Sequence, residues 1–286
     1  MHMLVKMLIL LAVGTVLVWW AMRRCRKGNR EWTELKKFRY AHRGLHSLPD
    51  APENSMEAFR RAVEKGYGIE LDVHLMADGQ LAVIHDSSLQ RTAGADVRIE
   101  DLKEADLAQY PLEGTNQTVP VFCDVVDLVD SRVPLIVELK PVGNNVEAMC
   151  RETMEVLRGY KGLYCVESFD PRVGDWFKRH RPAVCRGQLS ENFMKRDDSR
   201  LSKFLRFFLT HLLVNSLSKP DFVAYRFEDR KLWSLRIHRD NRVWWTITNA
   251  EDMKLAEKHG ATVIFEGFEP ETPVKGSAAK RTSRSR

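Results

Sequence analysis

Short apolar runs alternate with amphipathic, helix-like stretches along most of this 286-residue chain. This order predicts a parallel sheet covered by helices, because each parallel connection has to cross over the sheet. Nine runs are candidate strands: "FRYAHRG", "GIELDVHL", "LAVIHD", "VPLIVELKP", "LYCVESF", "AVCRGQL", "PDFVAYRF", "RVWWTIT" and "ATVIFEGF". A closed (β/α)8 barrel of the TIM type has eight strand places and commonly needs about 250 residues. We therefore predict a TIM-type barrel with one surplus strand.

Local signals refine this prediction. The turn Asp78-Gly79 joins two of the runs, and a tight turn joins antiparallel neighbours, so the surplus strand is expected in this pair. Asn54 and Glu57 have the spacing of a capping box before the first helix of the barrel. An open doubly wound sheet is the alternative fold. Such a sheet usually carries a glycine-rich first turn, and none follows "FRYAHRG".

The chain begins with a continuous apolar run, Met7–Met22, that approaches the length of a bilayer span. Trp19 and Trp20 stand near its end, where interfacial aromatic residues belong, and the basic segment "RRCRKGNR" follows. A cleaved signal peptide is the alternative, but it would carry its charge before the apolar run. We predict an uncleaved, single-pass anchor in the cell membrane, with the following domain on the cytoplasmic side. Five scattered cysteines fit such a reducing compartment.

Basic residues are concentrated at the two ends of the chain. Residues 1–30 hold six basic residues and residues 275–286 hold five, and neither segment holds an acidic residue. Because the formal net charge of the chain is only +6, the body between them is net acidic. A nucleic-acid-binding protein carries its basic charge on the folded body, so a membrane surface is the better partner. The sequence thus predicts an anchor with a basic flank at 1–30, a barrel domain at 31–274 and a basic disordered tail at 275–286.

Charged residues stand at the carboxyl ends of the predicted strands. In a barrel these ends meet at one rim, and that rim carries the active site. Alternation along a strand places Glu70 and Asp72 on one face, and likewise Glu138 and Lys140. The candidate site residues are His42, Arg43, Glu70, Asp72, His85, Glu138 and Lys140.

The types of these residues point to one kind of chemistry. Three facing carboxylates repel one another, and a hard divalent cation such as Mg²⁺ or Ca²⁺ relieves that repulsion because it prefers oxygen ligands. His42 and His85 can act as general acid and base, and Arg43 and Lys140 can bind phosphate oxygens. Together they suggest phosphodiester cleavage. Simpler interpretations remain for single residues: a histidine at a strand end is often only packed, and Asp86 is interpreted as a turn residue.

Five short motifs follow one another in a fixed order. They are His-Arg-Gly, Pro-Glu-Asn before a helix, Glu-x-Asp-Val, Asp-Gly with His-Asp, and Glu-x-Lys. They occur in "AHRGLHSLPDAPENSMEAFRRAVEKG", "IELDVHLMADGQLAVIHDSSLQRTAG" and "LIVELKP". With these motifs the chain resembles the glycerophosphodiester phosphodiesterase family over about residues 38–270.

The resemblance implies a barrel of the phospholipase-C-like phosphodiesterase type that uses a divalent metal. The implied reaction hydrolyses glycerophosphodiesters to an alcohol and sn-glycerol 3-phosphate. One histidine would deprotonate a glycerol hydroxyl that attacks phosphorus, the other would protonate the leaving alcohol, and water would open the cyclic intermediate. Glu266 stands where the family often has Asp, and its role stays open. By motif position, the implied roles are metal ligation by Glu70, Asp72 and Glu138, acid–base catalysis by His42 and His85, and phosphate binding by Arg43 and Lys140.

The segment Lys203–Lys219 is predicted to be one helix with apolar residues nearly all around it and basic residues at both ends. It is either a barrel helix with a wide buried face or an interfacial helix that rests on the bilayer. Together with the anchor, an interfacial helix would give access to lysophospholipids as well as to water-soluble glycerophosphodiesters. The alternatives for function are therefore a lysophospholipase D-like enzyme on membrane lipids and a catalytically silent lipid-binding barrel.

Overall fold

A computed structural model describes residues 2–196 and 201–274 of the chain. Eight parallel strands close into a barrel, because β1 pairs with both β2 and β9. In order around the barrel the strands are β1 (Arg39–Ala41), β2 (Gly68–Leu75), β4 (Leu135–Leu139), β5 (Tyr164–Ser168), β6 (Arg186–Ser190), β7 (Phe222–Arg226), β8 (Arg242–Ile247) and β9 (Thr262–Phe265). The predicted TIM-type barrel is confirmed.

The ninth strand, β3 (Leu81–Val83), lies outside the barrel and runs antiparallel to β2. The surplus strand is therefore in the pair joined by the turn Asp78-Gly79. It belongs to an insertion between β2 and β4 that has a small apolar core of its own, which includes Ile84 and Leu89. Because β3 turns back along β2, the chain returns toward the barrel rim, where the Ile84 N–H donates to the Asp72 carbonyl oxygen at 3.0 Å.

Helices fill the connections between the strands and cover the outside of the barrel. Phe59 and Phe177, one from each of two such helices, are fully buried against the strands. The α-helices are α1 (His2–Arg23), α2 (Arg30–Leu35), α3 (Met56–Lys65), α4 (Gln90–Ala93), α5 (Phe122–Val129), α6 (Val146–Val156), α7 (Pro171–His180), α8 (Lys203–Thr210), α9 (Asn215–Ser218) and α10 (Ala250–Lys258). Segments of 3₁₀-helix lie at Ile99–Asp101, Glu104–Gln109, Leu112–Gly114, Phe193–Lys195, Phe227–Asp229 and Trp233–Asn241.

Apolar side chains close the amino end of the barrel. The Trp32 ring of α2 stacks on the Phe222 ring at a centroid distance of 4.4 Å, and the Tyr40 hydroxyl donates to the Leu35 carbonyl oxygen at 2.8 Å. Gly187 makes room for this packing, since a Cβ at that position would lie 2.3 Å from the Phe222 ring. The carboxyl rim is thereby left as the open end of the barrel.

The prediction of one helix over Lys203–Lys219 is wrong. The segment forms α8 and α9, which are separated near Leu212, a residue with a left-handed φ of 59°. Leu209 and Leu212 are buried against the barrel, whereas Phe204 is 70% exposed. The chain turns here because only part of its apolar surface can face the barrel, and the remainder forms an exposed apolar surface.

Helix α1 is long and apolar enough to cross a membrane over Met3–Arg23, although a signal sequence has the same length and composition. The last turn of α1 packs against the wall of the barrel. Three pairs mark the path of α1 and the residues that follow it along the wall: Trp19 with Phe207, Arg23 with Asn215, and, just after the helix, Arg26 with Asp221.

These pairs give α1 a direction relative to the barrel. The contacts of residues 19–26 begin at α8, which follows the carboxyl end of β6, and end at Asp221, directly before the amino end of β7. Residues 19, 23 and 26 therefore contact residues 207, 215 and 221 in the same order, from the carboxyl end of the barrel toward its amino end. The exposed remainder of α1 therefore projects on the side of the carboxyl rim.

Candidate active site

Three carboxylates lie together at the carboxyl rim. Asp72 of β2 stands opposite Glu138 of β4 in the parallel register, and Glu70 lies on the same face of β2. One oxygen from each carboxylate lies within 4.8 Å of the others, and all three residues are buried. Strand alternation thus builds a cluster of oxygen donors, which is the donor set that Mg²⁺ and Ca²⁺ prefer.

The charge of this acidic cluster favours a cation. Burial, with repulsion from Asp72 and Glu138, raises the pKa of Glu70 well above its ordinary value. Burial raises the pKa of Glu138 to about 7. Burial acts in the same sense on Asp72, but Lys140 and Arg43 outweigh it and hold the Asp72 pKa below its ordinary value. A divalent cation among the three carboxylates would offset both the burial and the repulsion, so the residues fit a metal ion.

The structure brings two cations beside the acidic cluster. Lys140 Nζ lies 2.9 Å from Glu138 Oε1 and 3.2 Å from Asp72 Oδ1. Arg43 Nε lies 3.5 Å from Asp72 Oδ2, and the Arg43 backbone N–H donates to Glu70 Oε2 at 3.1 Å. Both side chains border the space beside the carboxylates, where a phosphate bound to a metal would meet them.

His42 enters the site from the carboxyl end of β1. Its Nδ1 lies 2.5 Å from Glu266 Oε2, and its Nε2 lies 3.9 Å from Glu70 Oε2. Glu266 follows the neighbouring strand β9 directly, so the closure of the barrel places the two side chains together. The carboxylate of Glu266 therefore orients the ring and directs Nε2 at the acidic cluster, which gives a structural role to a residue whose role the sequence left open.

His85 reaches the site from β3 outside the barrel. Its Nδ1 lies 2.6 Å from Asp86 Oδ1. Burial and the nearby charge of Lys140 and Arg43 lower the pKa of His85 to about 4. The interpretation of Asp86 as only a turn residue is wrong, because its carboxylate holds the histidine and also pairs with Arg91. Each of the two histidines is thus held at Nδ1 by a carboxylate.

Asn54 was missed as a site residue because its spacing to Glu57 predicts a helix cap. In the structure, Ser55 caps α3 and accepts from the Ala58 N–H at 3.2 Å. Asn54 instead has a left-handed φ of 54° and donates from Nδ2 to Asp72 Oδ2 at 2.9 Å. The Pro-Glu-Asn motif was the available signal, but the motif alone does not show where the amide points.

Two further acids near the site were also missed. Glu53 pairs with Arg43 at 2.9 Å and with Arg91 at 2.5 Å, so it holds both arginines at the rim. Glu167 of β5 stands beside Glu138 in the sheet register, and its pKa is raised well above its ordinary value by burial and by neighbouring carboxylates. Its charge, next to the apolar residues Cys165 and Val166 of the same strand, was a signal that the sequence offered.

Fold and site together define a TIM-barrel protein with a candidate metal-dependent hydrolase centre at its carboxyl rim. Residues 42–267 match the Glycerophosphoryl diester phosphodiesterase family, and the chain belongs to that family. The matched range begins at His42 and includes every candidate site residue named above.

Individual relatives agree with this membership. A glycerophosphodiester phosphodiesterase of Bacillus altitudinis is 40% identical over 108 residues, which are 35% of this chain and 43% of that protein. Lysophospholipase D GDPD1 of Rattus norvegicus is 32% identical over 134 residues, 42% of this chain and 41% of that protein. The aligned stretches thus span less than half the length of these two relatives.

The fold is also found in a solved structure, that of an Oleispira antarctica phosphodiesterase in complex with the product sn-glycerol-3-phosphate. It superposes with a TM-score of 0.67 at 21% sequence identity and covers 82% of this chain and 94% of that chain. At this identity the likeness concerns the fold.

Proposed function

We propose that the protein hydrolyses glycerophosphodiesters to an alcohol and sn-glycerol 3-phosphate. The observation that carries this proposal is the cluster of three buried carboxylates flanked by two histidines, each held at Nδ1 by a carboxylate. Membership of the family and the product bound to the Oleispira antarctica neighbour support the same reaction.

A divalent cation, Mg²⁺ or Ca²⁺, would be held by Glu70, Asp72 and Glu138. When bound, it would supply positive charge that stabilises the phosphate oxygens as charge develops on them. Arg43 and Lys140 would bind the phosphate from the side, since both border the acidic cluster.

The two histidines would divide the proton transfers. Burial and the nearby charge of Lys140 and Arg43 lower the pKa of His85, which favours the neutral ring, and a neutral ring can accept the proton of a glycerol hydroxyl that attacks phosphorus. His42, with Nε2 directed at the acidic cluster, would give a proton to the leaving alcohol. The bond from phosphorus to the alcohol breaks as the new bond forms, and water then opens the cyclic phosphate with the histidines in exchanged roles.

A substrate series tests the proposed function. The full-length protein in detergent would be incubated with glycerophosphocholine, glycerophosphoethanolamine and glycerophosphoglycerol, with Mg²⁺, with Ca²⁺ and with a chelator. Release of sn-glycerol 3-phosphate that depends on the metal would support the proposal. If every substrate stays intact at every metal concentration, the result would instead support the alternative of a catalytically silent lipid-binding barrel.

Replacement of Glu266 by glutamine is expected to lower kcat about 10- to 100-fold, the usual effect of removing a partner that orients a functional side chain. KM should change little, since Glu266 touches His42 rather than the acidic cluster. The pH profile of kcat should also shift, because the amide of glutamine carries no negative charge beside the imidazole ring of His42. Steady-state kinetics of Glu266→Gln, beside the exposed control Glu269→Gln, would measure both. Equal kcat values and equal pH profiles would show that Glu266 does not position His42.

We further propose that residues 1–30 anchor the enzyme in the cell membrane, with the barrel of residues 31–274 on the cytoplasmic side. The length and apolar character of α1 and the basic cluster that follows it support this arrangement. The tail predicted to be disordered, residues 275–286, lies outside the described residues.

The direction of α1 supports a more specific arrangement. An exposed apolar surface, here called the rim patch, lies beside α1 on the carboxyl-rim side and is continuous with it through the contact of Trp19 with Phe207. The rim patch consists of Met194, Phe204, Leu205, Phe207 and Trp233. A bilayer that holds α1 would meet this patch, and the mouth of the barrel would then face the lipid headgroups.

This arrangement favours a second candidate activity on the same site. A mouth that faces the headgroups would accept lysophospholipids from the membrane, as the name of the relative lysophospholipase D GDPD1 describes for that protein. The products would be an alcohol and a lysophosphatidic acid. The chemistry of the histidines and carboxylates would be the same in both activities.

The double replacement Phe204→Ser and Leu205→Ser is expected to lower turnover of lysophosphatidylcholine in liposomes by roughly tenfold or more, because burial of each side chain contributes about 1.5–3 kcal/mol. Turnover of water-soluble glycerophosphocholine should stay the same. The matched control is Leu217→Ser, an exposed apolar residue on α9 farther from the rim. Equal loss on both substrates would indicate a damaged barrel, and no loss on either would contradict the proposed membrane contact.

A further inference from the structure

A groove rich in arginine lies on the outer wall of the barrel, away from the acidic cluster. It is a cavity of about 570 Å³ between α10 and the 3₁₀ segments that join β7 to β8. A volume of this size suits a small molecule. Here it is called the arginine groove, and its polar lining comes from Arg230, Arg236, Arg239, Arg242 and His259.

The arginines of this groove form no direct ion pairs with the described part of the chain. Within the described ranges, none of the four arginines has a carboxylate oxygen within 4 Å, and no carboxylate lines the cavity. Two partly buried arginines elsewhere in the barrel do have carboxylate partners: Arg39 lies 2.8 Å from Glu257, and Arg26 lies 2.5 Å from Asp221. Four like charges around one cavity repel, so a bound anion would relieve an unfavourable arrangement.

Two of the guanidinium groups are held in place by aromatic rings. The Arg230 guanidinium lies over the Phe227 ring at 4.3 Å, and the Arg242 guanidinium lies over the Trp244 ring at 5.1 Å. Arg242 Nε is buried and has no hydrogen-bond partner among the described residues. Burial and the nearby Arg239 lower the pKa of Arg242, in spite of the opposing charge of Asp240. These donors are thus fixed before a ligand arrives, which lowers the entropy lost on binding.

We propose that the arginine groove is a binding site for a phosphate-bearing ligand, separate from the active site. A guanidinium group matches phosphate oxygens with two parallel N–H donors, and several such groups favour a ligand with more than one phosphate or with a doubly charged phosphomonoester. The ligand is either a soluble phosphate compound or the headgroup of an anionic lipid, since the chemistry of both is the same. This inference does not depend on the proposed catalytic function.

Binding of inorganic pyrophosphate to the full-length protein tests this site. Isothermal titration would be done in nanodiscs of neutral lipid, with a chelator present to weaken competing binding at the acidic cluster. The test variant Arg236→Gln/Arg239→Gln removes two exposed side chains, so the fold should be kept. The control Arg151→Gln/Arg158→Gln removes the same charge from two exposed residues, one on α6 and one directly after it.

We expect the test variant to bind pyrophosphate at least about tenfold more weakly than the wild type, because hydrogen bonds between charged groups contribute about 1.5–3 kcal/mol each. The control variant should bind like the wild type. Equal weakening in both variants would indicate a general charge effect and would overturn the proposal, as would equal binding by all three proteins.

A second arm of the experiment identifies the source of the phosphate. Nanodiscs that contain anionic phosphatidylglycerol are compared with neutral ones, in the wild type and in the test variant. If anionic lipid weakens pyrophosphate binding only in the wild type, it competes for the groove and the ligand is a headgroup. If pyrophosphate binds equally in both kinds of nanodisc, the groove takes soluble phosphate compounds.

Discussion

The replacement His85→Ala is expected to lower kcat for glycerophosphocholine by about 10²- to 10⁴-fold, which is the usual contribution of a general acid or base. The reason is that no other described side chain replaces the His85 ring between Asp86 and the acidic cluster. His42→Ala is expected to cause a loss of the same order. The double variant should lose little more than the worse single variant, because the two rings act as one unit.

Initial rates with saturating metal would measure these effects. The matched control is His180→Ala, which removes an exposed histidine at the end of α7. Both site variants should bind the metal as the wild type does, since neither histidine belongs to the acidic cluster. Losses below roughly threefold in His42→Ala and His85→Ala would be far too small for general acid–base catalysis and would remove both rings from the mechanism.

The replacement Glu70→Gln is expected to weaken binding of Mg²⁺ or Ca²⁺ by about 100-fold or more. At a limiting metal concentration, activity should fall to a similar extent. The amide keeps the shape of the side chain but removes one of three anionic ligands, and a hard cation depends on that charge. In the metal-free protein, however, the unfolding temperature should stay the same or rise. Burial already raises the pKa of Glu70, so the amide replaces a group that is unfavourable there as an anion.

Thermal unfolding with and without metal would separate these two effects. Metal should raise the unfolding temperature of the wild type, because a ligand that binds only the folded state stabilises it. The variant should need a much higher metal concentration for the same rise, and the exposed control Glu155→Gln should behave like the wild type. If metal stabilises Glu70→Gln as strongly as the wild type, Glu70 is not a ligand.

The barrel could be predicted from the sequence because its periodicities are local. Alternation along β2 and β4 places Glu70, Asp72 and Glu138 on one face, and parallel pairing brings the carboxyl ends of both strands to one rim. The surplus strand was visible for the same reason, since the turn Asp78-Gly79 is a local signal for antiparallel pairing.

The partners of the histidines could not be predicted in the same way. Glu266 meets His42 only because the last strand closes the barrel against the first, a contact between residues more than 200 positions apart. Asn54 reaches Asp72 only through a left-handed backbone conformation, which competes with the helix cap that its spacing predicts. Hydrophobic periodicity predicts neither which residues meet when the barrel closes nor which backbone conformation a loop residue adopts.

The same limit applies to Lys203–Lys219 and to α1. Apolar spacing predicts one continuous helix over the segment, but the left-handed Leu212 divides it into α8 and α9. The direction of α1 depends on its tertiary contacts with α8 and α9 and on the pair of Arg26 with Asp221, for which the N-terminal sequence has no signal.

The most direct test of metal-dependent glycerophosphodiester hydrolysis by this protein is ³¹P NMR of the full-length chain with glycerophosphocholine and Mg²⁺ or Ca²⁺ in water enriched with ¹⁸O. We expect sn-glycerol 3-phosphate to appear as the phosphorus product and to carry the ¹⁸O, and choline to be released without it. His42→Ala and chelation should each reduce the signal by about 10²-fold or more. Appearance of phosphocholine, or product formation that persists in the chelator, would contradict this expectation.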